Sequence, residues 1–404
     1  MKVLIVNCVF KQGSTGKIVD DIRYCLLSSK IECVVCFGRG EESRESNVIK
    51  VSKEWYSMLN GLRARITGLL YGGAHWSTRN LEKIILSEKP DIVHVHCING
   101  NFVNIYRFIS FLKENRIKTL LTLHAEFIHT ANCGHAFDCE KWKTGCGKCP
   151  RYRLDGSWFF DRTAKSWKLM KDAFEGFNNR IIVSSVSPWL MNRAMNSPIL
   201  KGKPHYVVLN GLDIGIFHYY PVNDVRINLG LKASETLIFH ATPVFDNNPH
   251  NIKGGCYIIQ LAELMPEVTF VVAGRYDKTI KVPANIILLG NVKDQSLLAK
   301  YYSAADVCVL TSKKETFSMV CAESLSCGTP IVGYLAGAPE MISLKDYSCF
   351  VKYGDVNALK NAIYQTLDKQ FDKRIISLEA QRVYSKQTMT EEYIKLYNKL
   401  LQSD

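Results

Sequence analysis

The sequence has no long apolar run and neither of two common phosphate-binding loops. No uncharged apolar stretch reaches about 18 residues, so a helix that spans a bilayer is not expected. The apolar opening, Val3 to Phe10, stops at Lys11 without a small-residue cleavage site, which predicts a first strand and not a signal peptide. Gly-x4-Gly-Lys-Ser/Thr is absent, and so is a Gly-x-Gly-x-x-Gly after a strand. The usual sequence signals of phosphoryl transfer from ATP and of hydride transfer from NAD are therefore missing.

Composition is that of a folded globular protein with a basic first half. The 404 residues are 47% hydrophobic and 22% charged, which excludes a disordered or fibrous chain. Residues 1–200 hold 29 Lys and Arg against 18 Asp and Glu, whereas residues 201–404 hold 22 against 20. The first half therefore predicts an anionic partner, whether a lipid headgroup, a diphosphate or a nucleic acid.

Short β-branched runs alternate with longer amphipathic segments along the whole chain. This rhythm predicts an α/β fold of two Rossmann-like, doubly wound parallel-sheet domains facing across a cleft. We expect an N-terminal domain over residues 1–212, with a cysteine-rich insertion near 129–160. A C-terminal domain is expected over residues 213–380, and a last helix over 381–404 is expected to pack back on the N-terminal domain.

Two glutamates flank the predicted start of a helix in the second half. Glu315 follows a buried strand, and Glu323 lies eight residues later, on a helix expected to begin near Ser318. The backbone amides of Phe317, Ser318 and Met319, at the positive end of the helix dipole, suit a diphosphate. A carboxylate one turn further into the helix can accept hydrogen bonds from both hydroxyls of a ribose. An ordinary helix with two solvent-facing glutamates would have the same spacing.

This segment resembles a known enzyme family. Glu315 and Glu323, with Gly337-Ala-Pro-Glu340 after them, are similar to the Glu-x7-Glu signature of GT-B retaining glycosyltransferases of family 4. Pro90-Asp-Ile-Val-His-Val-His96 and Trp142-Lys-Thr-Gly-Cys-Gly-Lys-Cys-Pro150 resemble the colanic-acid and capsule branch of that family. The resemblance implies the GT-B fold and transfer of a sugar with retention.

The resemblance also implies roles for residues of the second half. Glu323 would hold the ribose, Glu315 would act as a catalytic contact to hydroxyls of the donor sugar, and the amides of residues 317–319 would face the diphosphate. Lys253 matches the family lysine that neutralises the leaving diphosphate. The arginine that usually precedes this lysine is missing, and Arg275 is the candidate to replace its charge.

Two residues of the first half receive roles in the same way. Gly16 would let the backbone approach the phosphate or the donor sugar. His124, at the predicted end of a strand, would be a catalytic residue that faces the transferred sugar. A plain turn at Gly16 and a satisfied polar residue at the strand end are the structural alternatives.

The implied reaction uses a UDP- or GDP-sugar donor and needs no catalytic cofactor. No Asp-x-Asp occurs, so the metal-binding carboxylate pair of GT-A transferases is missing. The acceptor would be a glycan or a lipid-diphosphate-linked intermediate of cell-surface polysaccharide, at a cytoplasmic location, peripheral to the membrane. Three alternatives stay open: a nucleotide-sugar epimerase or a glycan phosphorylase on the same fold, or a basic nucleic-acid-binding protein. Under the transferase interpretation no nucleic acid is expected.

Four of the fourteen cysteines cluster within seventeen residues. Cys133, Cys139, Cys146 and Cys149 end in a Cys-x2-Cys pair, which is typical of a structural tetrahedral zinc site. Free or redox-active thiols in a surface loop are the alternative. A catalytic metal is not expected, because four thiolates leave no open coordination position.

A basic and aromatic stretch follows the cysteines. Residues 141–171 hold nine Lys and Arg and two Asp, and their aromatic residues include Trp142, Trp158, Phe159, Phe160 and Trp167. Such interleaving fits a face that rests on anionic lipid. It also fits nucleic-acid binding or a solvated face over a packed helix.

Overall fold

The computed structural model describes residues 1–221, 223–232 and 234–402, and the chain divides into two compact units. The first unit comprises Met1–Leu209 together with the residues from Met389 onwards, and the second comprises Asn210–Thr388. The boundary after Leu209 falls three residues before the domain boundary predicted at residue 212.

The first unit is built on a seven-stranded parallel sheet. Its strands are β1 (Lys2–Val9), β2 (Glu32–Arg39), β3 (Val48–Lys50), β4 (Ile92–Val95), β5 (Thr119–Leu123), β6 (Ile181–Ser185) and β7 (His205–Val207). They lie in the order β3-β2-β1-β4-β5-β6-β7. The inner strands β4, β5 and β6 are buried along their full length, as expected for strands covered on both faces.

Helices connect these strands. They are α1 (Gly13–Ser28), α2 (Glu54–Thr67), α3 (His75–Glu88), α4 (Ile105–Glu114), α5 (Thr163–Phe174) and α6 (Pro188–Met195), with a short 3₁₀ turn at Lys141–Lys143. Residues 124–162, which include the cysteine cluster, contain no other regular element among the described residues. The predicted insertion is therefore loop-like.

The second unit repeats the plan with six parallel strands. Its strands are β8 (Leu237–Phe245), β9 (Thr269–Tyr276), β10 (Ile286–Gly290), β11 (Val307–Leu310), β12 (Ile331–Tyr334) and β13 (Ser348–Val351). They lie in the order β10-β9-β8-β11-β12-β13. Two doubly wound parallel sheets are what the alternating pattern of the sequence predicts, and this fold class is confirmed.

Helices connect the strands of the second unit. They are α7 (Asn223–Asn228), α8 (Gly255–Leu264), α9 (Gln295–Ala304), α10 (Met319–Ser326), α11 (Pro339–Ile342), α12 (Val356–Leu367) and α13 (Lys373–Tyr384), with a 3₁₀ turn at Lys345–Tyr347. The core of this unit consists mainly of aliphatic side chains, which come from strands β8 to β12 and from helices α8 and α12.

The last helix, α14 (Lys386–Gln402), carries the chain back into the first unit. Tyr393 and Tyr397 on this helix are fully buried. The hydroxyl of Tyr397 lies 2.7 Å from Nδ1 of His94 on β4, and the hydroxyl of Thr122 on β5 donates to the hydroxyl of Tyr393 at 3.5 Å. The C-terminal residues therefore belong to the packed core of the first unit.

Candidate functional site

The loop after β11 and the turn before α8 are tied together. The Thr311 hydroxyl donates to the Lys253 carbonyl at 2.9 Å, and the Lys313 amide donates to the Ile252 carbonyl at 2.7 Å. Gly254 has φ +67°, and a Cβ there would lie 2.4 Å from the Thr311 carbonyl oxygen. Only glycine allows this approach, and the approach fixes the backbone that carries Lys253.

Lys253 and Glu315 form an ion pair in this loop. The distance from Lys253 Nζ to Glu315 Oε1 is 2.6 Å, and the two side chains are 30% and 16% exposed. The Glu315 amide donates to the Ala336 carbonyl at 3.0 Å, and its carbonyl accepts from the Ala338 amide at 3.3 Å. Two residues predicted to bind different parts of the donor therefore contact each other directly.

The Gly-Ala-Pro-Glu segment supports this arrangement. The carboxylate of Glu340 accepts hydrogen bonds from the amides of Ala336 and Gly337 at 3.1 and 2.9 Å. Gly337 has φ +109°, a conformation that favours glycine. Glu340 therefore holds the loop that pairs with the backbone of Glu315, which gives this motif a positioning role.

Helix α10 begins where the sequence predicts it, with an unusual residue before it. Ser318 precedes the first helical residue, Met319, and has φ +94° and ψ 94°. Such a conformation costs a residue other than glycine about 1–3 kcal/mol, and strained residues of this kind cluster at functional sites. The Ser318 side chain makes no capping hydrogen bond to the first turn. Phe317 is 4% exposed and anchors the segment in the core.

Glu323 lies in a cavity of about 210 Å³ within the second unit. The cavity is lined by the carboxyl ends of β8 and β9 and by the first turns of α10, including Met319. Oε2 of Glu323 accepts a hydrogen bond from the Tyr302 hydroxyl at 3.0 Å. Burial, reinforced by the neighbouring Glu323 charge, raises the pKa of Tyr302 well above its ordinary value, so this hydroxyl remains a donor.

Arg275 is separate from this cavity. It follows the cavity-lining Gly274 on β9, but its own side chain is exposed and is not part of the lining. A Cβ on Gly274 would lie 2.4 Å from the Thr242 carbonyl oxygen, so β8 and β9 approach closely here. That Arg275 replaces the missing arginine stays a prediction.

Gly16 lies inside a helix and not in the loop expected for it. The sequence predicts a loop over Lys11–Gly16 and a helix from Lys17, but helix α1 begins at Gly13, four residues earlier. The Lys11 amide donates to the Gly16 carbonyl at 3.1 Å, and a Cβ on Gly16 would lie 3.1 Å from Val9 Cγ2. Close packing against the end of β1 explains this glycine, and its role near a phosphate is still untested.

His124, just after β5, belongs to a buried group of histidines in the first unit. Its Nε2 lies 2.9 Å from Nδ1 of His96, and Nε2 of His94 lies 2.8 Å from the hydroxyl of Thr122. Burial lowers the pKa of His124 to about 4 and holds the pKa values of His94 and His96 well below the ordinary value. All three rings are therefore neutral at physiological pH. The sequence places His124 at a strand end but does not reveal this contact.

The four clustered thiols are half-buried. Burial raises the pKa of Cys146 to about 12, and this thiol donates to the Thr130 carbonyl at 3.6 Å. Within the described residues, no three His, Cys, Asp or Glu side chains are arranged to hold a metal ion. Zinc binding by Cys133, Cys139, Cys146 and Cys149 stays a prediction, which elemental analysis of the purified protein tests.

Comparison with known families identifies the second unit. Residues 245–369 match the family described as glycosyl transferases group 1. This stretch includes Lys253, Glu315, Glu323 and Glu340. It is a group 1 glycosyltransferase domain. The resemblance derived from the Glu-x7-Glu spacing is therefore confirmed.

Similarity to individual proteins extends over the whole chain. WcaC of Escherichia coli (strain K12), assigned to colanic acid biosynthesis as a glycosyl transferase, is 22% identical over 99% of this chain and 100% of its own length. Sucrose-phosphate synthase from Thermosynechococcus elongatus has a TM-score of 0.68 at 16% identity, covering 100% of both chains. HepE from Anabaena, solved in complex with UDP-glucose, has a TM-score of 0.67 at 15% identity, covering 99% of this chain and 100% of its own. The chain has the GT-B fold of the group 1 glycosyltransferases.

Proposed function

We propose that this protein is a retaining glycosyltransferase that takes a sugar from a UDP- or GDP-sugar. The observation that carries the proposal is the second-unit cavity, where the Glu323 carboxylate and the start of α10 line one space. A carboxylate can accept hydrogen bonds from the hydroxyls of a ribose, and the N-terminus of a helix can bind an anion. The solved complex of HepE with UDP-glucose supports this choice of donor class.

The leaving group in this proposal is a nucleoside diphosphate stabilised by the chain itself. Cleavage of a sugar–phosphate bond builds negative charge on the departing oxygen, which fixed cations and amides stabilise. Lys253 is the cation beside the α10 loop, and the amides of residues 317–319 are the proposed donors. With no Asp-x-Asp in the sequence, we propose that this step is independent of metal. Transfer rates measured with and without a chelator test that point.

The first unit supplies the acceptor site in this proposal, with His124 as the residue that faces the transferred sugar. The full-length similarity to WcaC supports a glycan or a lipid-diphosphate-linked acceptor in cell-surface polysaccharide synthesis. Among the described residues, no helix is long and apolar enough to cross a membrane. We propose a cytoplasmic enzyme that contacts the inner face of the membrane, where nucleotide-sugars and a lipid-linked acceptor would meet.

Calorimetric titration with UDP, GDP and ADP and with their glucose conjugates tests the donor site. We expect one nucleotide to bind clearly and Glu323→Gln to weaken it by about tenfold or more, equivalent to about 1.4 kcal/mol. Glu263→Gln, an exposed glutamate on α8, is the matched control and should bind as the wild type does. Circular dichroism of each variant confirms the fold.

Two results would contradict the proposal. One is a wild-type protein that binds none of these nucleotides, and the other is a Glu323→Gln variant that binds as tightly as the wild type. Binding of an oligonucleotide with steep salt dependence, unaffected by Glu323→Gln, would favour a nucleic-acid-binding function instead. The anomeric configuration of the transferred sugar, read by NMR from the product, tests retention.

A further inference from the structure

Helix α2 of the first unit presents its large apolar side chains to solvent. Its buried residues are small or polar, namely Ser57, Asn60 and Ala64. The residues on its outer face are between 42 and 63% exposed: Trp55, Met58, Leu59, Leu62 and Ile66. Their spacing follows the period of a helix over its full length. A helix packed only to form the core of the unit would have the opposite arrangement.

Specific polar contacts fix the orientation of α2. Oδ1 of Asn60 accepts from the Ala74 amide at 2.8 Å, and its Nδ2 donates to the Tyr56 carbonyl at 2.8 Å. The hydroxyls of Ser57 and Ser52 lie 2.9 Å apart and are both buried. Rotating the helix to bury the apolar face would break the contacts with the Ala74 amide and the Ser52 hydroxyl, so the outward face is a stable property of the fold.

A second exposed aromatic group adjoins the end of α2. Trp158, Phe159 and Phe160 are between 45 and 61% exposed. The Trp158 amide donates to the Arg65 carbonyl at 2.7 Å, and a Cβ on Gly68 would lie 2.2 Å from the Phe160 carbonyl oxygen. The two segments therefore form one continuous surface. We define the α2 surface as Trp55, Met58, Leu59, Leu62, Ile66, Trp158, Phe159 and Phe160.

The charges around this surface are mainly positive. Lys53, Arg63 and Arg65 on or next to α2 are exposed. The Arg65 guanidinium lies 5.7 Å from the Trp158 ring centroid, and that of Arg162 lies 5.6 Å from the Phe160 ring. The one acidic residue of α2, Glu54, pairs with Arg39 at 2.6 Å. The surface is therefore apolar and aromatic with a cationic border.

We propose that the α2 surface docks on an anionic lipid bilayer, with α2 lying in the plane of the interface. Exposed Trp, Phe and Leu side chains enter the boundary between headgroups and acyl chains, and Lys and Arg contact anionic headgroups. The fourteen residues of α2 extend about 21 Å along the interface. This inference rests on the membrane contact suggested in the proposed function and assigns it to particular residues.

The α2 surface includes only part of the basic and aromatic stretch 141–171 for which the sequence suggests lipid contact. Trp142 of that stretch is 1% exposed and packs in the core, and the indole of Trp167 donates to the Trp142 carbonyl at 2.9 Å. Only residues 158–160 of the stretch therefore belong to the α2 surface, and Arg162 lies at its cationic border. Most of its apolar area comes from α2 itself.

Co-sedimentation with vesicles tests the α2 surface in the full-length protein without nucleotide. We compare phosphatidylcholine vesicles with vesicles that also contain phosphatidylglycerol. The triple variant Trp55→Ser, Met58→Ser, Leu62→Ser should reduce the bound fraction about tenfold or more, since it removes the inserted side chains. The control Ile375→Ser, Leu378→Ser changes similarly exposed side chains on α13 and should sediment as the wild type does.

A charge variant separates the two components of binding. Arg63→Gln with Arg65→Gln should remove most of the preference for phosphatidylglycerol and leave weaker binding to both vesicle types. Absence of wild-type binding to either vesicle would overturn the proposal, as would a triple variant that sediments like the wild type. A wild-type dimer that the triple variant converts to a monomer, seen by light scattering, would assign the surface to a second copy of the chain.

The same variants distinguish this inference from the proposed function. The triple variant should bind the donor nucleotide as the wild type does, and Glu323→Gln should sediment with vesicles as the wild type does. Loss of vesicle binding with intact nucleotide binding is therefore the result expected. If the wild type binds vesicles but no nucleotide, the result contradicts the proposed function alone and leaves the α2 surface as a lipid-binding site.

Discussion

The ammonium of Lys253 lies 2.6 Å from Oε1 of Glu315, so the proposed diphosphate contact and the proposed sugar contact neutralise each other. A diphosphate that draws Lys253 to itself must compete with this carboxylate. In the proposed function, Glu315 is then released to accept hydrogen bonds from hydroxyl groups of the sugar once the lysine turns to the diphosphate. We therefore expect the ion pair to link donor binding to the exposure of Glu315.

Separate variants of the two partners should have different effects on nucleotide affinity. Lys253→Ala should weaken UDP binding by about tenfold or more, because a charge-assisted hydrogen bond contributes about 1.5–3 kcal/mol. Glu315→Gln should leave UDP binding unchanged or tighten it a few-fold, because the lysine loses its competitor. Its transfer rate should nevertheless fall about a hundredfold. Calorimetry and initial rates measure the two effects.

Lys278→Ala, an exposed lysine after β9, is the control for loss of positive charge and should bind UDP normally. Equal weakening of UDP binding by Lys253→Ala and Glu315→Gln would show that the carboxylate supports the diphosphate site instead of competing for its lysine.

Tyr302 should contribute to nucleotide binding through Glu323. Its hydroxyl donates to Oε2 of Glu323 at 3.0 Å, and the ring is fully buried. Tyr302→Phe removes one hydrogen bond of about 1 kcal/mol and should weaken nucleotide affinity about fivefold by loosening the carboxylate. Tyr301→Phe, the neighbouring residue on α9, should have no effect. A Tyr302→Phe variant with unchanged affinity would show that Glu323 holds its position without this donor.

The sequence predicts the parts of this site that depend on local pattern. Buried β-branched runs identify the strands, and Gly328 with Pro330 marks the end of α10. The pairing of Lys253 with Glu315 joins positions 62 residues apart, which no local pattern reports. Tyr302 is a similar case, since a tyrosine on an amphipathic helix is ordinarily a core residue. The first-unit contact between His96 and His124 also arises only when β4 and β5 pair in the sheet.

Two segments show how the same pattern permits different structures. The apolar period of α2 predicts a helix, but it does not say whether that face meets the core or the solvent. Ser57 and Asn60 fix the orientation of the helix through contacts outside it, with the Ser52 hydroxyl and the Ala74 amide. The glycines at 13 and 16 suggest a loop. Gly16 nevertheless sits in the first turn of α1, where its missing Cβ allows close packing on Val9.

Acid should destabilise the first unit through its buried histidines. The folded pKa of His124, about 4, lies below the unfolded value near 6.5, and the pKa values of His94 and His96 are also lowered. The stabilisation from neutral rings is therefore complete above about pH 6.5 and is lost as pH falls towards 4. Each such histidine costs up to about 1.4 kcal/mol per pH unit in that range.

Urea unfolding at several pH values measures this loss. All six tryptophans lie in the first unit, so their fluorescence follows that unit. His94→Gln should flatten the decline in unfolding free energy below pH 6.5, because one titrating ring is removed. His250→Gln, an exposed position in the second unit, should leave the decline unchanged. An unaltered decline in His94→Gln would assign the acid sensitivity to other groups.

The two tyrosines of α14 should differ in what their hydroxyl groups contribute to stability. The Tyr397 hydroxyl lies 2.7 Å from His94 Nδ1, whereas that of Tyr393 lies 3.5 Å from the Thr122 hydroxyl, and both rings are fully buried. Tyr397→Phe leaves a buried ring nitrogen without its partner and should lower the free energy of unfolding by about 1–3 kcal/mol. Tyr393→Phe should cost less than about 1 kcal/mol, because its hydrogen bond is long. Negligible losses in both variants would mean that α14 is held by ring packing alone, and equal larger losses would contradict the expected difference between the two hydroxyls.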